Sequence, residues 1–343
     1  MFVSVKSKSG KKLMPTHPNK AGMLIKKGLA TPYWSNGIFC IRLNYVTEDE
    51  YTQDIVVGVD PGSKKEGFTV KSESHTYLNI QADAHNKVGK KVAKRSELRR
   101  SRRSRKCPNR RNRKNRNAGK EKIPAGTRAR WDWKLRILSW LSKLYPVTHV
   151  CVEDIKAPTI ERARKWNTSF SPLEVGKKWF YDEIRKRWSL LTLQGYQTKE
   201  IRDRLGLKKS SKKLLESFDA HCVDSWCLAY HAVGGESIPD YTDIFCISPI
   251  KIKRRELHRQ KESKGRIRSR QGGTVLGNGL IKNTLIKHVR YGITRLAGVN
   301  AKGLFSVYNL EGNKRITTGA KRSDFRVLTR LNFNYRSGYS SQA

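Results

Sequence analysis

The chain has 343 residues, and its 72 Lys and Arg against 29 Asp and Glu give a formal net charge of +43 at pH 7. Self-repulsion at such a charge opposes compaction, so the composition indicates a protein that works beside a large polyanion. With 8 Trp, 13 Tyr and 10 Phe the chain has enough apolar surface for a packed core, which excludes a wholly disordered protein. The length predicts two or three domains.

Nucleic acid fits this charge better than a membrane surface does. The basic residues are spread along the chain with two dense blocks, whereas membrane-surface proteins concentrate them in one amphipathic helix or juxtamembrane cluster. No apolar run is long enough to span a bilayer, and the first residues, MFVSVKSKSGKKLMP, lack the apolar core of a signal peptide. We therefore expect no membrane partner and a cytoplasmic protein that associates with the nucleoid when bound to DNA.

The cysteines indicate neither a zinc knuckle nor a disulfide framework. The six Cys, at positions 40, 107, 151, 222, 227 and 246, include no C-x-x-C pair. Scattered cysteines in a protein that stays inside the cell are typical of reduced, mostly buried thiols.

The first 86 residues predict a small basic unit followed by an antiparallel meander. Turn signals at Pro15 and Pro18 separate the first segments, and an uninterrupted apolar run after residue 54 is typical of a strand buried on both faces. In chain order the predicted elements are a helix, Lys20–Lys27, and four strands, Ile38–Leu43, Ile55–Val59, Gly67–Lys71 and Tyr77–Gln81.

The densest basic block is Lys87–Arg116, which holds 16 Lys or Arg and one acid, Glu97. One interpretation is a solvated, disordered basic arm, which is typical of such charge runs. The other is a rigid helix that contacts the backbone of RNA, because helix-forming residues dominate up to Lys106 and Pro108 then ends the pattern.

Helices dominate the next part of the chain. A helix leads into the second buried strand, which is the crossover that parallel pairing with the first buried strand requires. The predicted elements are helices over Thr127–Leu144, from Pro172 onward, over Lys199–Leu205 and over Phe218–Val233, with strands at Val147–Val152 and Leu190–Gly195. From Ile244 onward, short strands with Gly and Asn turns predict a β-rich, barrel-like module that carries the second basic block.

Four side chains mark a candidate catalytic site. Asp60 ends the first buried strand, Glu153 ends the second, and His221 precedes Asp224 by three residues on one helix face. Converging carboxylates repel one another unless a cation joins them, and Mg²⁺ prefers such oxygen ligands together with phosphate oxygens. Two Mg²⁺ ions would support in-line cleavage of a phosphodiester, and His221 would accept a proton or bind metal.

Each of these residues also has an ordinary structural interpretation. Asp60 stands before Pro-Gly and suits a turn, while Glu153 and its neighbour Asp154 suit a loop or a cap. Together, however, the order strand-Asp, strand-Glu, helix-His/Asp fits a ribonuclease H-like fold. The choice between Glu153 and Asp154 stays open at this point.

Several segments resemble a known family. GVDPGSKKEGFTV, VCVEDIKAP and DAHCVDSW resemble the three split motifs of RuvC-like nucleases. The KLMP segment, RRSRRSRKCPNRRNR and IPAGTRARWDWKLRILSWLSKLYPVTHVCVED resemble the N-terminal signature, the arginine-rich bridge helix and the following link of the IscB and IsrB proteins. The resemblance is collinear over nearly the whole chain and is loosest in its last third.

The resemblance implies an α/β protein with a ribonuclease H-like (RuvC) core that is split by the bridge helix. It also implies a small N-terminal PLMP-type unit and a C-terminal β-rich, barrel-like module. The domains expected are an N-terminal PLMP-like unit (1–50), RuvC-I (51–86), the bridge helix (87–120), RuvC-II (121–160), a helical linker (161–216), RuvC-III (217–240) and a C-terminal β-rich module that contacts the target-adjacent motif (241–343).

The activity that the resemblance implies is that of an RNA-guided DNA endonuclease with a structured guide, the ωRNA. Its catalytic positions fall on Asp60, Glu153, His221 and Asp224, with Asp60, Glu153 and Asp224 as ligands of two Mg²⁺ ions that Mn²⁺ can replace. Expected partners are the ωRNA and double-stranded target DNA with a short adjacent motif, bound by a protein monomer in a ribonucleoprotein. The expected RNA-binding residues are Arg95, Arg99, Arg100, Arg102, Arg103, Arg105, Arg110, Arg111 and Arg113, and the expected DNA-binding residues are Lys251, Lys253, Arg254, Arg255, Arg266, Arg268 and Arg270.

One departure from IscB limits the expected reaction. IscB has an HNH nuclease, which needs a catalytic His, between its second and third RuvC motifs, but here no His occurs between His149 and His221. The chain therefore resembles IsrB, and we expect a nickase of the displaced non-target strand. Two alternatives remain: a non-catalytic or domesticated RRXRR protein that only binds RNA, and a structure-directed junction nuclease.

Overall fold

The structure of the protein is a computed structural model. It describes residues 2–47, 51–106, 123–156, 171–212, 215–249, 280, 282–300, 302–312, 314–330 and 333–337.

A small N-terminal unit packs one helix on a four-stranded sheet of order β2-β1-β4-β3. Its core includes Val3, Val5, Leu24 and Ile41. Helix α1 begins where the sequence signals it, because His17 caps it and Pro18 occupies its first turn. The elements are β1 (Val3–Lys6), β2 (Lys12–Thr16), α1 (Pro18–Lys26), β3 (Ala30–Ser35) and β4 (Ile38–Leu43).

The centre of the protein is a seven-stranded mixed sheet of order β16-β10-β7-β6-β5-β8-β9. Strands β5, β6 and β7 form the predicted antiparallel meander, and β8 and β9 continue the sheet in parallel. Three antiparallel strands followed by two parallel ones are the arrangement expected of a ribonuclease H-like fold. The strands are β5 (Ile55–Asp60), β6 (Lys65–Lys71), β7 (Thr76–Asp83), β8 (Val147–Asp154), β9 (Ser189–Gln194), β10 (Ile244–Pro249) and β16 (Phe333–Ser337).

Helices cover both faces of this sheet. The larger core lies on the face of α3 and α4 and includes Trp131, Leu138 and Phe180, while a second core includes Val223 and Trp226 of α7. Apolar residues on both faces explain why β5 reads as an uninterrupted apolar run. The helices are α2 (Lys87–Lys106), α3 (Ala125–Leu141), α4 (Pro172–Arg185), α5 (Gly195–Arg204), α6 (Phe218–His221) and α7 (Val223–Val233).

The predicted single helix over Phe218–Val233 is wrong in one respect. The structure divides it into α6 and α7 at Cys222, whose φ of −108° and ψ of −14° stay in the right-handed helical region, and i→i−4 hydrogen bonds continue on both sides of this residue. This division has no Gly or Pro signal in the sequence. It occurs where the chain passes directly above the sheet, with the His221 carbonyl against Gly67.

The C-terminal part forms an antiparallel five-stranded sheet of order β14-β13-β12-β11-β15. Its core includes Ile286, Phe305 and Phe325. Two strands from the range 241–343, β10 and β16, pair with the central sheet instead. The five strands are β11 (Thr284–His288), β12 (Gly292–Val299), β13 (Phe305–Tyr308), β14 (Arg315–Ala320) and β15 (Phe325–Arg330).

Two further expectations can be compared with the structure. Five of the six cysteines lie in the described ranges, and all five are buried free thiols. Among the described helices, none has the length and apolar character needed to cross a bilayer.

Candidate active site

The ends of two neighbouring strands bring the first two predicted carboxylates together. Strands β5 and β8 are parallel, with Val59 opposite Val152, so Asp60 and Glu153 follow at the same edge of the sheet. The sequence folds this way because each carboxylate directly follows an apolar run that is fully buried in the sheet.

Helix α7 brings Asp224 to the same place. It lies directly on β5, since a Cβ atom on Gly58 would be 1.9 Å from the Ser225 carbonyl oxygen. The Ser225 and Thr69 hydroxyls form a 2.8 Å hydrogen bond beneath the helix, and the Trp226 indole N–H donates to Thr76. These buried contacts fix the first turn of α7, which carries Asp224, relative to the strand that carries Asp60.

The three carboxylates interact electrostatically. Burial raises the pKa of Asp60 well above its ordinary value, and the negative charges of Glu153 and Asp224 raise it further. A hydrogen bond with the Glu153 carboxyl acts in the same direction, while the positive charge of Lys209 opposes it. Without a metal ion, the ionised form of Asp60 is therefore less favourable than that of an exposed aspartate.

Two basic side chains of this protein bind the third carboxylate. The Arg202 guanidinium donates to Asp224 Oδ1 at 2.7 Å, and the Lys209 ammonium pairs with Asp224 Oδ2. The Asp224 side chain is 6% exposed. Burial alone would lower the pKa of Lys209, but its bond to Asp224 and the charges of all three carboxylates raise it, so Lys209 stays an ammonium ion.

Asp154, the neighbour of Glu153, points into a different environment. Its carboxylate accepts hydrogen bonds from the Tyr181 hydroxyl at 3.0 Å and from Gln194 Nε2 at 2.9 Å. It also forms an ion pair with Lys177 at 2.8 Å. Successive side chains of a strand point to opposite faces, so Asp154 faces α4 while Glu153 interacts with Asp60. Of the two adjacent carboxylates, Glu153 is the one beside Asp60.

His221 lies near the site, three residues before Asp224. It ends α6, whereas Asp224 belongs to the first turn of α7, and Cys222 between the two helices keeps right-handed helical backbone angles. Its backbone carbonyl lies above Gly67, which pairs with Asp60 across the β-ladder. The expected i, i+3 juxtaposition of the His221 and Asp224 side chains stays a prediction.

The donor chemistry at this edge suits Mg²⁺, since all three acidic side chains offer carboxylate oxygens. In the arrangement described, however, Asp224 is paired with two basic groups, Arg202 and Lys209. Within the described ranges, no three His, Cys, Asp or Glu side chains are grouped so that they could hold one ion. The donor atoms fit a divalent cation by their chemistry, and a cation that binds Asp224 would have to displace Lys209 from it.

The predicted RNA-binding helix is present and is almost completely exposed. Helix α2 has 20 residues, of which 11 are Lys or Arg, and in its described part only Val88 and Ser96 are half-buried. It contains Arg95, Arg99, Arg100, Arg102, Arg103 and Arg105. Arg110, Arg111 and Arg113 lie outside the described residues, as do the predicted DNA-binding residues Lys251, Lys253, Arg254, Arg255, Arg266, Arg268 and Arg270.

Sequence reasoning missed Arg202 and Lys209. The segment LGLKKSSKK reads only as a basic loop, and Lys199–Leu205 only as a short helix. Neither residue is close in sequence to the three carboxylates. The sequence indicated basic partners for the site only in a general way, because clustered carboxylates require positively charged neighbours.

Comparison with known proteins finds a match to one family model over part of the chain and several similar solved structures. Residues 3–164 match the family model described as RRXRR protein. The structure of Thermus thermophilus RuvC in complex with Holliday junction substrate is similar, with 14% identity, 53% of this chain and 97% of that chain covered, and a TM-score of 0.27. The structure of the yeast mitochondrial Holliday junction resolvase is also similar, with 13% identity and a TM-score of 0.27. The match covers 53% of this chain and 78% of the resolvase chain. A search of curated proteins gave no match. The fold assignment rests on the strand order of the sheet itself.

Proposed function

We propose that this protein is an RNA-guided DNA endonuclease of the IsrB type that nicks the displaced, non-target strand of its target. The observation that supports this most strongly is that Asp60 and Glu153 end neighbouring parallel strands and that both interact electrostatically with Asp224 of the helix packed on β5. Acidic side chains gathered in a chain of net charge +43 need a chemical reason. Hydrolysis of a phosphodiester supplies one.

In the proposed site, Asp60, Glu153 and Asp224 hold two Mg²⁺ ions, which Mn²⁺ can replace. Bound Mg²⁺ supplies positive charge that stabilises the attacking and leaving oxygens of an in-line displacement. The chain itself sets the geometry: the β5 and β8 ends position two carboxylates, and α7 positions the third. The backbone carbonyl of His221 lies against Gly67, the residue that pairs with Asp60 in the neighbouring strand. His221 is the proposed proton acceptor for the attacking water.

The proposed guide is a structured ωRNA held by α2. This helix carries many Lys and Arg and buries little apolar surface, which suits contacts with the backbone of a polyanion. The match to the RRXRR family model includes α2 as well as the strands that carry Asp60 and Glu153. Guide pairing would supply sequence specificity, and the protein would bind the nucleic-acid backbone.

A single cut follows from the sequence between the second and third motifs. With no His between His149 and His221, that region does not encode the catalytic His of an HNH nuclease. One nuclease site on an opened duplex cuts one strand. The five-stranded C-terminal sheet and the basic block 251–270 are the proposed contacts to the adjacent DNA motif, and the protein is proposed to act as a monomer.

A second function has one observation in its favour. Arg202 and Lys209 already neutralise Asp224, which is also what a protein without catalysis would show. In that case the chain binds RNA and its acidic cluster is a structural ion-pair network. The two functions differ in whether the complex cuts DNA.

The test is to purify the protein from cells that carry its native flanking DNA and to sequence the RNA bound to it. The complex is then incubated with Mg²⁺ and supercoiled plasmid bearing the matching target. We expect nicked circles, and we expect Asp60→Asn and Glu153→Gln to lower the nicking rate by at least about 100-fold. Asp60→Asn should fold well, because a neutral amide of the same shape replaces a buried carboxyl group whose ionised form is disfavoured there.

Asp182→Asn is the matched control, since Asp182 lies on the exposed side of α4 with its carboxylate 51% exposed. This variant should nick like the unmodified chain. Linear product, or cutting without the guide, would contradict the proposal. A complex that retains RNA but leaves every matched target intact would favour the non-catalytic function.

A further inference from the structure

The Lys209 ammonium forms an ion pair with one of the three carboxylates and acts electrostatically on the other two. It pairs with Asp224 Oδ2, and its charge also acts on Asp60 and Glu153. It thus supplies the positive charge that a group of neighbouring carboxylates requires when no metal ion is bound. A metal ion that uses Asp224 must compete for the same oxygen.

Arg202 contacts the same carboxylate in a different way. It belongs to α5, which packs on α7 through the buried residue Ile201, and it donates to the other oxygen, Oδ1. The Arg202 side chain is 15% exposed. Its fixed position makes it suited to holding Asp224 in one orientation while leaving Oδ2 to another partner.

Lys209 lies on the loop that follows α5, whereas Arg202 lies within the helix. It follows the end of α5 by five residues, beyond Gly206, whose φ of 67° turns the chain out of the helix. Its side chain is 41% exposed. A long side chain on a loop can leave an ion pair by rotating its own bonds, without any movement of the sheet or of α7.

We propose that Lys209 occupies the cation position of the metal-free site and must be released before a divalent cation can bind Asp224. Arg202 is proposed as a positioning residue that keeps Asp224 in place during the exchange. The proposal rests on the proposed function in one respect, namely that Asp224 is a metal ligand. Its consequence is that removing Lys209 should strengthen metal binding, because the competing cation is gone.

The test measures Mn²⁺ binding by electron paramagnetic resonance on the full-length, EDTA-treated protein. For Lys209→Met we expect binding that is about ten-fold tighter, equivalent to about 1.4 kcal/mol. Lys208→Met is the matched control, because Lys208 is an exposed lysine on the same loop and loses the same charge. It should leave the Mn²⁺ affinity unchanged.

Arg202→Met gives the opposite expectation from Lys209→Met, although both variants remove a basic partner of Asp224. Without Arg202 the carboxylate loses its orientation, so Mn²⁺ should bind no more tightly than to the unmodified chain. Thermal unfolding is a second readout: Lys209→Met should have a lower Tm than the unmodified chain in EDTA and gain more from added Mn²⁺.

The possible failures are distinguishable. If the unmodified chain binds Mn²⁺, Asp60→Asn abolishes this binding and Lys209→Met binds no more tightly, then the role of Lys209 is overturned and the metal site stands. If Lys208→Met or Arg202→Met tightens Mn²⁺ binding as much as Lys209→Met does, the affinity depends only on the loss of one positive charge near the site. The proposal is then wrong. If Mn²⁺ binds to none of the variants, the proposed function fails as well.

Discussion

Glu153 and Asp154 are adjacent residues with different surroundings. Glu153 interacts with Asp60 at the candidate site, whereas Asp154 accepts hydrogen bonds from the Tyr181 and Gln194 side chains and pairs with Lys177. Asp154 thereby ties the end of β8 to α4 and to β9. We infer that it keeps the strand end in register, so that Glu153 faces Asp60.

Asp154→Ala should lower the free energy of unfolding by about 2 kcal/mol, since it removes charge-assisted hydrogen bonds and leaves Lys177 with fewer partners. Urea unfolding at neutral pH measures this change. Asp182→Ala, in an exposed i, i+3 pair with Arg185, is the control and should cost no more than about 0.5 kcal/mol. Equal costs for the two variants would contradict the role given to Asp154.

The cost of Asp154→Ala should also depend on pH. Burial alone would raise the pKa of Asp154, but hydrogen bonds from Lys177, Gln194 and Tyr181 bring it below its ordinary value of 3.8. A carboxyl whose pKa is lower in the folded state stabilises the protein above its unfolded-state pKa. The difference between the two proteins should therefore be complete at neutral pH and shrink as the pH falls through the native pKa.

At the residue scale the sequence was informative only where a carboxylate followed an apolar run. That pattern placed Asp60 and Glu153 at strand ends, but it could not separate Glu153 from Asp154, because both follow the same run. The choice depends on side-chain alternation relative to α4 and α7, which is a tertiary property. Arg202 and Lys209 were missed because their contacts join segments that are distant in sequence.

At the scale of elements, the packing of α7 on β5 decides where Asp224 lies. Gly58 permits this packing, because any Cβ atom there would overlap the Ser225 carbonyl. Gly67 likewise permits the close approach of the end of α6, because a Cβ atom there would overlap the His221 carbonyl. The sequence predicted the helix and the strands, but not this close approach or the interruption at Cys222, since neither changes the apolar periodicity.

Gly58→Ala should destabilise the protein by about 3 kcal/mol, because backbone atoms of α7 would have to move away from β5. Gly22→Ala is the matched control. Gly22 lies in α1, where a methyl group would meet no atom within 4 Å beyond its own stretch of helix, so alanine there should stabilise the protein by about 0.5 kcal/mol. Thermal or urea unfolding compares the two, and a loss of stability for both variants would contradict the packing argument.

At the scale of the whole molecule, the distribution of charge separates two kinds of surface. Helix α2 presents basic side chains on nearly all sides. The acidic site, in contrast, lies at the ends of the neighbouring strands β5 and β8. The sequence located the basic blocks and the five central strands of the sheet. It did not predict that β10 and β16 would extend this sheet, because their partner strands lie far away in the chain.

Neutralising Arg99, Arg100, Arg102 and Arg103 to Gln should weaken RNA retention and reduce its salt dependence. If each arginine contacts one phosphate, the slope of log affinity against log salt should fall in magnitude by about 3. Filter binding between about 50 and 200 mM KCl measures it.

Four exposed lysines of the N-terminal unit, Lys8, Lys20, Lys26 and Lys27, give a control with the same change in charge. Their replacement by Gln should reduce the slope much less. An equal reduction for both sets would show that RNA responds only to net charge and that α2 is not its binding site.

The pairing of β10 with β16 has a consequence for how this protein can be altered. Pro249 and Phe333 are direct partners in the antiparallel ladder, so everything from residue 250 to residue 332 forms the connection of a single β-hairpin. The five-stranded sheet is thus inserted in the chain between two strands that are neighbours in the central sheet. It does not simply follow the last strand of that sheet. A tight turn joining Pro249 to Phe333 would remove it while keeping the strand order of the central sheet, but it would also remove Leu285 from the larger core and the hydrogen bond that the Arg295 guanidinium donates to the Tyr335 carbonyl. A module that replaces it at the same two residues would have to supply equivalent contacts.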